Sequence, residues 1–200
     1  MVDIDFNLLR TATELKGESD RAAAIVGTSV LETHLEQLLT KAMIDHKKVP
    51  DIFKGYAPLS TLSAKINISY FLGLIPTDLY EDLDYIRKIR NDFAHEHGPI
   101  SFKDQSLADK VKKLKCIQPW LNIQRQINEE HLNLNKVEES ENTYKLADNN
   151  EEPRNLWNLA VAVLTFELDG STQLCQKHES PCDAFGLDSL TIVRSSEQAQ

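Results

Sequence analysis

The stretch Leu79–His95, LYEDLDYIRKIRNDFAH, constrains this chain more than any other. It runs without a helix breaker from Pro76-Thr77 to the Gly98-Pro99 stop, and Leu79, Leu83, Ile86 and Phe93 recur at helical spacing. Thr77 is expected to cap it, with Asp78 and Glu81 at the positive end of the helix dipole. Arg90 falls within the apolar stripe, where another leucine is expected. A guanidinium is costly to bury alone, so Arg90 needs either an anionic partner or a functional reason for its place. His95 follows five residues on and closes the hexapeptide Arg90-Asn91-Asp92-Phe93-Ala94-His95.

The rest of the chain reads as helices to pack against this one. Ile4–Leu15 is a short amphipathic helix ended by Gly17. Ser19 caps a long helix from Asp20 to about Asp45, with Ala22, Ile25, Val26, Ser29, Leu35, Leu38, Leu39 and Met43 on its apolar face. The small residues at Ala22–Ala24, Gly27 and Ser29 allow a neighbouring helix to approach closely, while Glu32, His34 and Glu36 are expected to face solvent. After a loop from Pro50 to Pro58, a third helix spans Ser60–Leu72 and stops at Gly73. A further helix is expected from Asp104 to Gln118, kinked at Pro119-Trp120, and a last, well-buried one over Arg154–Leu168 with Pro153 in its first turn.

No strand set, internal repeat or strand–helix alternation is visible. The expected fold class is therefore all-α, an irregular bundle of about six helices in one domain over residues 1–170. Residues 128–152 carry eight carboxylates against two lysines with no sustained period, and are expected to form a mobile acidic loop. Residues 171–200 are expected to be a disordered tail.

Composition removes several functional classes. The net charge of −9 argues against phosphate-neutralising binding of duplex DNA as a primary activity, and no helix-turn-helix with a basic recognition helix is present. Charge is locally reversed between Tyr85 and Lys115, where eight Lys/Arg face four Asp/Glu; Lys110, Lys112, Lys113 and Lys115 make a positive rim for a nucleic acid or protein partner. Three widely spaced cysteines fit a reduced, cytoplasmic setting better than a disulfide scaffold. Cys175, His178 and Cys182 have metal-like spacing but supply only three local ligands, so no metal is expected, and no cofactor motif appears. Apolar runs such as Leu159–Leu164 are too short to cross a bilayer, and the N-terminus lacks the pattern of a signal peptide.

Arg90 and His95 lie about 140° apart on a straight helix, so they share no face. Asn91 and His95 do share one, four residues apart. Two readings stay open. Arg90 from a neighbouring helix could join Asn91 and His95 as the phosphate clamp, polar positioner and general acid/base of metal-independent RNA cleavage. Alternatively Arg90 pairs with Glu14, Glu18 or Asp20, and His95 caps the helix end.

Arg90-Asn91-Asp92-Phe93-Ala94-His95 resembles the Arg-x4-6-His signature of the HEPN superfamily of small all-α domains. The wider stretches RAAAIVGTSVLETHLEQLL and FKGYAPLSTLSAKINISYFLGLIPTDLYEDLDYIRKIRNDFAHE resemble the bacterial mannitol operon repressor family over roughly Asp20–Asp104. That resemblance implies a transcriptional regulator that acts through protein partners rather than by contacting DNA, and the chain is expected to work as a homodimer. The HEPN resemblance implies an alternative, an endoribonuclease or toxin-like protein in which Arg90, Asn91 and His95 of two protomers line a shared RNA cleft.

Overall fold

The computed structural model describes residues 15, 17–123, 126 and 152–177. The expected N-terminal helix (except Leu15), the acidic loop at 128–151 and the tail beyond 177 lie outside the described residues, as do His178 and Cys182. Within them the chain is all-α, with no strand. The elements are α1 (Asp20–Ala42), a 3-10 turn (Val49–Phe53), α2 (Leu62–Phe71), α3 (Thr77–His95), α4 (Gln105–Lys112), a helical stretch at 118–123, and α5 (Pro153–Leu174).

The core forms where α1, α3 and α5 meet, and it is built around one large side chain. Trp157 is fully buried and donates its indole N–H to the Ala23 carbonyl at 3.2 Å. So wide a side chain fits only where the facing helix is narrow. Ala23, Ala24 and Gly27 provide that surface, and a Cβ on Gly27 would stand 3.0 Å from Val161 Cγ2 and 3.3 Å from Trp157 Nε1. The small residues in the first half of α1 therefore do permit close helix approach. The buried face is Ala23, Ala24, Gly27 and Thr28 in the first half of α1 and Leu31, Leu35, Leu38 and Leu39 in the second, the last three as expected. Ile25 and Val26, expected inside, are 37% and 46% exposed, because the first half of α1 packs through its small side chains.

α1 stops at Ala42 rather than near Asp45, and α2 spans Leu62–Phe71 rather than Ser60–Leu72; three other helix ends also differ from those expected. Thr77 is the first helical residue of α3 rather than its cap; Pro76 holds the cap position with no side-chain hydrogen bond. α4 ends at Lys112, before Pro119, and the chain turns at 113–117 before becoming helical again at 118. Pro119 thus lies in the first turn of the new helical stretch, where its missing N–H costs nothing. α5 runs to Leu174, six residues beyond Leu168. Its extension is held by His34 Nδ1 on Asp169 Oδ1 at 2.6 Å and by Lys41 Nζ on the Thr172 carbonyl at 2.6 Å. Local composition favours a frayed end here, and side chains of α1 supply the missing stabilisation.

Polar groups fix how α3 sits in the bundle. Asp82, buried in the α3 stripe, accepts the backbone N–H of Lys115 at 2.8 Å and of Cys116 at 2.7 Å, so it caps the turn between α4 and the next helical stretch. Asp20 accepts from Ser101 Oγ at 2.7 Å, the Phe102 N–H at 2.9 Å and Arg154 Nη1 at 2.7 Å. Burial alone would raise its carboxyl pKa, but those donors outweigh burial and hold it below the usual aspartate range.

Candidate functional site

Arg90 does not interrupt the apolar stripe of α3. Ile89, with no exposed surface, fills the core position between Ile86 and Phe93, and Arg90 falls one residue round on the flank. It is half-buried, and its Nη1 donates to the Asn91 side-chain oxygen at 3.1 Å. Among the described residues no carboxylate forms an ion pair with Arg90; Asp20, one of its expected partners, pairs with Arg154 instead.

His95 is exposed in the last turn of α3, but it does not cap that helix. Arg21 does so from α1. Its Nη1 donates to the Phe93 and Glu96 carbonyls at 2.7 and 2.8 Å, and its Nη2 to the Gly98 carbonyl at 3.0 Å. The Phe93 carbonyl belongs to the last turn, which a helix leaves without partners, and those of Glu96 and Gly98 follow just after it; a guanidinium suits the three because it presents several donors in one plane. Arg21 lies 72 residues from the first of these groups, so nothing in the local sequence announces the contact.

The flanks of α3 open onto two separate grooves. The larger, about 520 Å³, is lined by Asn91, Asp92, His95, Glu96, Asp104 and Lys110, among others. The second, about 430 Å³, is lined by Arg87, Arg90, Asn91 and the start of α2. Asn91 borders both, while Arg90 and His95 each belong to one. The 140° separation expected of a straight helix is realised as two sites on either side of α3, and a single protomer does not bring these two side chains together.

The lysine rim is divided. Lys110 forms an ion pair with Asp92, and Lys115 pairs with Asp78 at 2.6 Å and Glu81 at 2.9 Å, which raises the pKa of its ammonium. Lys112 and Lys113 remain exposed, with no ion pair among the described residues. Two of the four rim lysines are thus neutralised by α3 carboxylates brought alongside them.

Other charged groups sit where the sequence pattern did not place them. Lys65, a central position of α2, is 2% exposed and donates to both Glu32 and Glu36 of α1 at 2.5 Å. Burial acts to lower its pKa, but the two carboxylates more than compensate and raise it. Glu32 and Glu36 are therefore paired rather than free in solvent. Arg87 and Lys88 both reach Asp84, at 2.7 and 2.8 Å; burial would raise the Asp84 pKa, and these cations hold it below the usual range. The i, i+4 spacing of Glu32 and Glu36 signals a pair facing one way, but only the packing of α2 supplies the cation between them.

No group of three or more His, Cys, Asp or Glu among the described residues is arranged to hold a metal ion, and none of the described helices is long and apolar enough to cross a membrane.

Known proteins share parts of this chain and its fold. Over 69 residues, 34% of this chain, it is 28% identical to the mannitol operon repressor of Escherichia coli strain K12, and equally to that of strain O6:H1. That segment spans about a third, 35%, of the length of these curated relatives. The fold resembles the X-ray structure of the MtlR-HPr complex from Escherichia coli, with a TM-score of 0.56 and 19% sequence identity over 80% of this chain and 97% of that one. The family model described as mannitol repressor matches residues 20–165, from the start of α1 through most of α5. The chain therefore belongs to the mannitol repressor family.

Proposed function

We propose that the protein is a transcriptional regulator of the mannitol operon repressor type, acting as a cytoplasmic homodimer through a protein partner rather than by binding duplex DNA itself. The observation that carries this reading is that the similar Escherichia coli fold was solved as a complex with another protein, HPr, and that the likeness covers nearly all of that chain. The charge distribution agrees with it. The chain is acidic overall, and two of the four rim lysines are tied to carboxylates of α3, leaving little cationic surface for a phosphate backbone. Lys112 and Lys113, with the larger groove beside α3, are the surface left for a partner.

The test combines a gel shift with a binding titration. The purified chain is expected to leave its own promoter unshifted at low salt, and to bind the HPr of its own organism in solution. Tight, sequence-specific binding to the promoter by the chain alone would overturn the reading.

The ribonuclease alternative requires Arg90 of one copy to meet His95 of another, because one copy directs them to different grooves. It predicts cleavage of single-stranded RNA that is lost in Arg90→Ala and in His95→Ala. An equal absence of cleavage in the parent and both variants would remove it.

A further inference from the structure

The groove between α3 and the start of α2 is lined on one wall by Arg87, Arg90 and Asn91, and on the other by Ser60, Thr61 and Ser63. Around it four cations, Lys65, Arg87, Lys88 and Arg90, meet three carboxylates: Glu32 and Glu36 share Lys65, Arg87 and Lys88 share Asp84, and Arg90 has none. Glu32, which also borders it, is held by Lys65 at 2.5 Å, and Arg87 places Nε and Nη2 on Asp84 Oδ1 at 3.0 and 2.7 Å. Arg90 has only the neutral Asn91 oxygen, at 3.1 Å, so most of its five N–H donors are open to a ligand. Arg87 keeps Nη1 available as well. Thr61 Oγ1 accepts the Ala64 N–H at 3.2 Å and retains its own proton to donate.

We propose that this groove binds a phosphate monoester. Its donors lie on two facing walls, guanidinium on one and hydroxyl on the other. A planar carboxylate is satisfied by a single guanidinium in its own plane, whereas a tetrahedral phosphoryl group presents three oxygens in different directions and uses both walls. The half-buried Arg90 supplies the uncompensated positive charge that a dianion needs. The groove's volume of about 430 Å³ exceeds that of a phosphoryl group and leaves room for the molecule that carries it. That carrier is either a small metabolite or a phosphorylated side chain of a protein, and the two sources differ in what surrounds the same phosphoryl chemistry.

The experiment is a calorimetric and NMR titration of the full chain at low ionic strength with four probes: inorganic phosphate, glycerol 3-phosphate, a phosphoserine peptide and its unphosphorylated form. The expected result is saturable binding of the phosphorylated probes, with amide shifts at Ser60, Thr61 and Ser63 and none at Ser106 or Leu107. Arg90→Gln is expected to weaken binding by roughly tenfold or more. Lys103→Gln, an exposed cation outside this groove, should leave binding unchanged. Tighter binding of the phosphopeptide than of glycerol 3-phosphate identifies a protein source; the reverse order identifies a small metabolite. Absence of binding, equal losses in the two variants, equal binding of the two peptides, or shifts confined to the other groove would each overturn the proposal. Should Arg90→Gln fail to fold, the shift pattern of the parent decides.

Discussion

Asp82 holds more of this structure together than its place in an apolar stripe suggests. It is 1% exposed, and its two oxygens take the N–H groups of Lys115 and Cys116 at 2.8 and 2.7 Å. Each hydrogen bond to a charged acceptor is worth about 1.5–3 kcal/mol net, so the two together support about 3–6 kcal/mol. Some of that is returned when a carboxylate no longer has to be desolvated, which puts the cost of Asp82→Ala at about 3 kcal/mol. For a chain of this size that corresponds to a fall in Tm of roughly 6–12 °C. Asp82→Asn keeps one acceptor but turns an NH2 toward the second N–H, and is expected to cost about half as much.

Cys116 reports the same perturbation independently. Burial first, and then the Asp82 carboxylate, push its thiol pKa well above the ordinary range, so slow reaction of the parent with thiol reagents is the expected outcome. With Cys175 and Cys182 changed to Ser, Cys116 is the only thiol in the chain. Asp82→Ala removes both the charge beside it and the bonds that close the turn, and the modification rate should rise roughly tenfold or more. Urea unfolding followed by circular dichroism gives the stability change, and a colorimetric thiol assay in mildly alkaline buffer gives the rate. A variant within about 0.5 kcal/mol of the parent, with an unchanged thiol rate, would refute the assignment of Asp82 as the cap of this turn.

Three further outcomes are expected. Arg21→Ala removes the donors on the Phe93, Glu96 and Gly98 carbonyls, and should cost about 1–2 kcal/mol while raising amide hydrogen exchange over residues 93–100, with little change in α5. The folded Asp20 pKa is lowered, so its contribution is complete above the ordinary aspartate pKa and disappears as pH falls through the folded value; the stability gap between parent and Asp20→Asn, measured by urea unfolding from near-neutral pH downward, should narrow with acidification. The folded Lys65 pKa is raised, so its contribution is complete below the ordinary lysine pKa and fades as pH climbs through the folded value; the gap between parent and Lys65→Met should narrow in alkaline solution, and a gap that stays constant would argue that Lys65 acts only through its packing.

The candidate site was partly legible in the sequence. The Arg90–His95 hexapeptide marks the segment that borders both grooves, and its helical periodicity alone states the angle between the two side chains. The partners of those side chains were not legible. Asp20 was a reasonable anion for Arg90 by charge, yet Arg154, 134 residues away from it, takes that place. The pairing of half the lysine rim was not legible either, because the carboxylates that meet Lys110 and Lys115, namely Asp92, Asp78 and Glu81, belong to a different helix.

Several features of this protein follow from its sequence by itself, because they depend on interactions between near neighbours along the chain. They include the all-α class, the positions of most helices, the glycine stop after α2, and the separation of Arg90 from His95 around α3. Other features were decided only by tertiary packing. Trp157 selects the small-residue side of α1 as the buried one, and α1 carries α5 six residues past the point where local composition would end it. Arg21 closes the end of α3, and Lys65 is buried between two glutamates that look solvated when read alone. In each case the groups that meet are far apart in the sequence. A helical repeat specifies which direction a side chain faces, and only the assembled bundle specifies what it meets there.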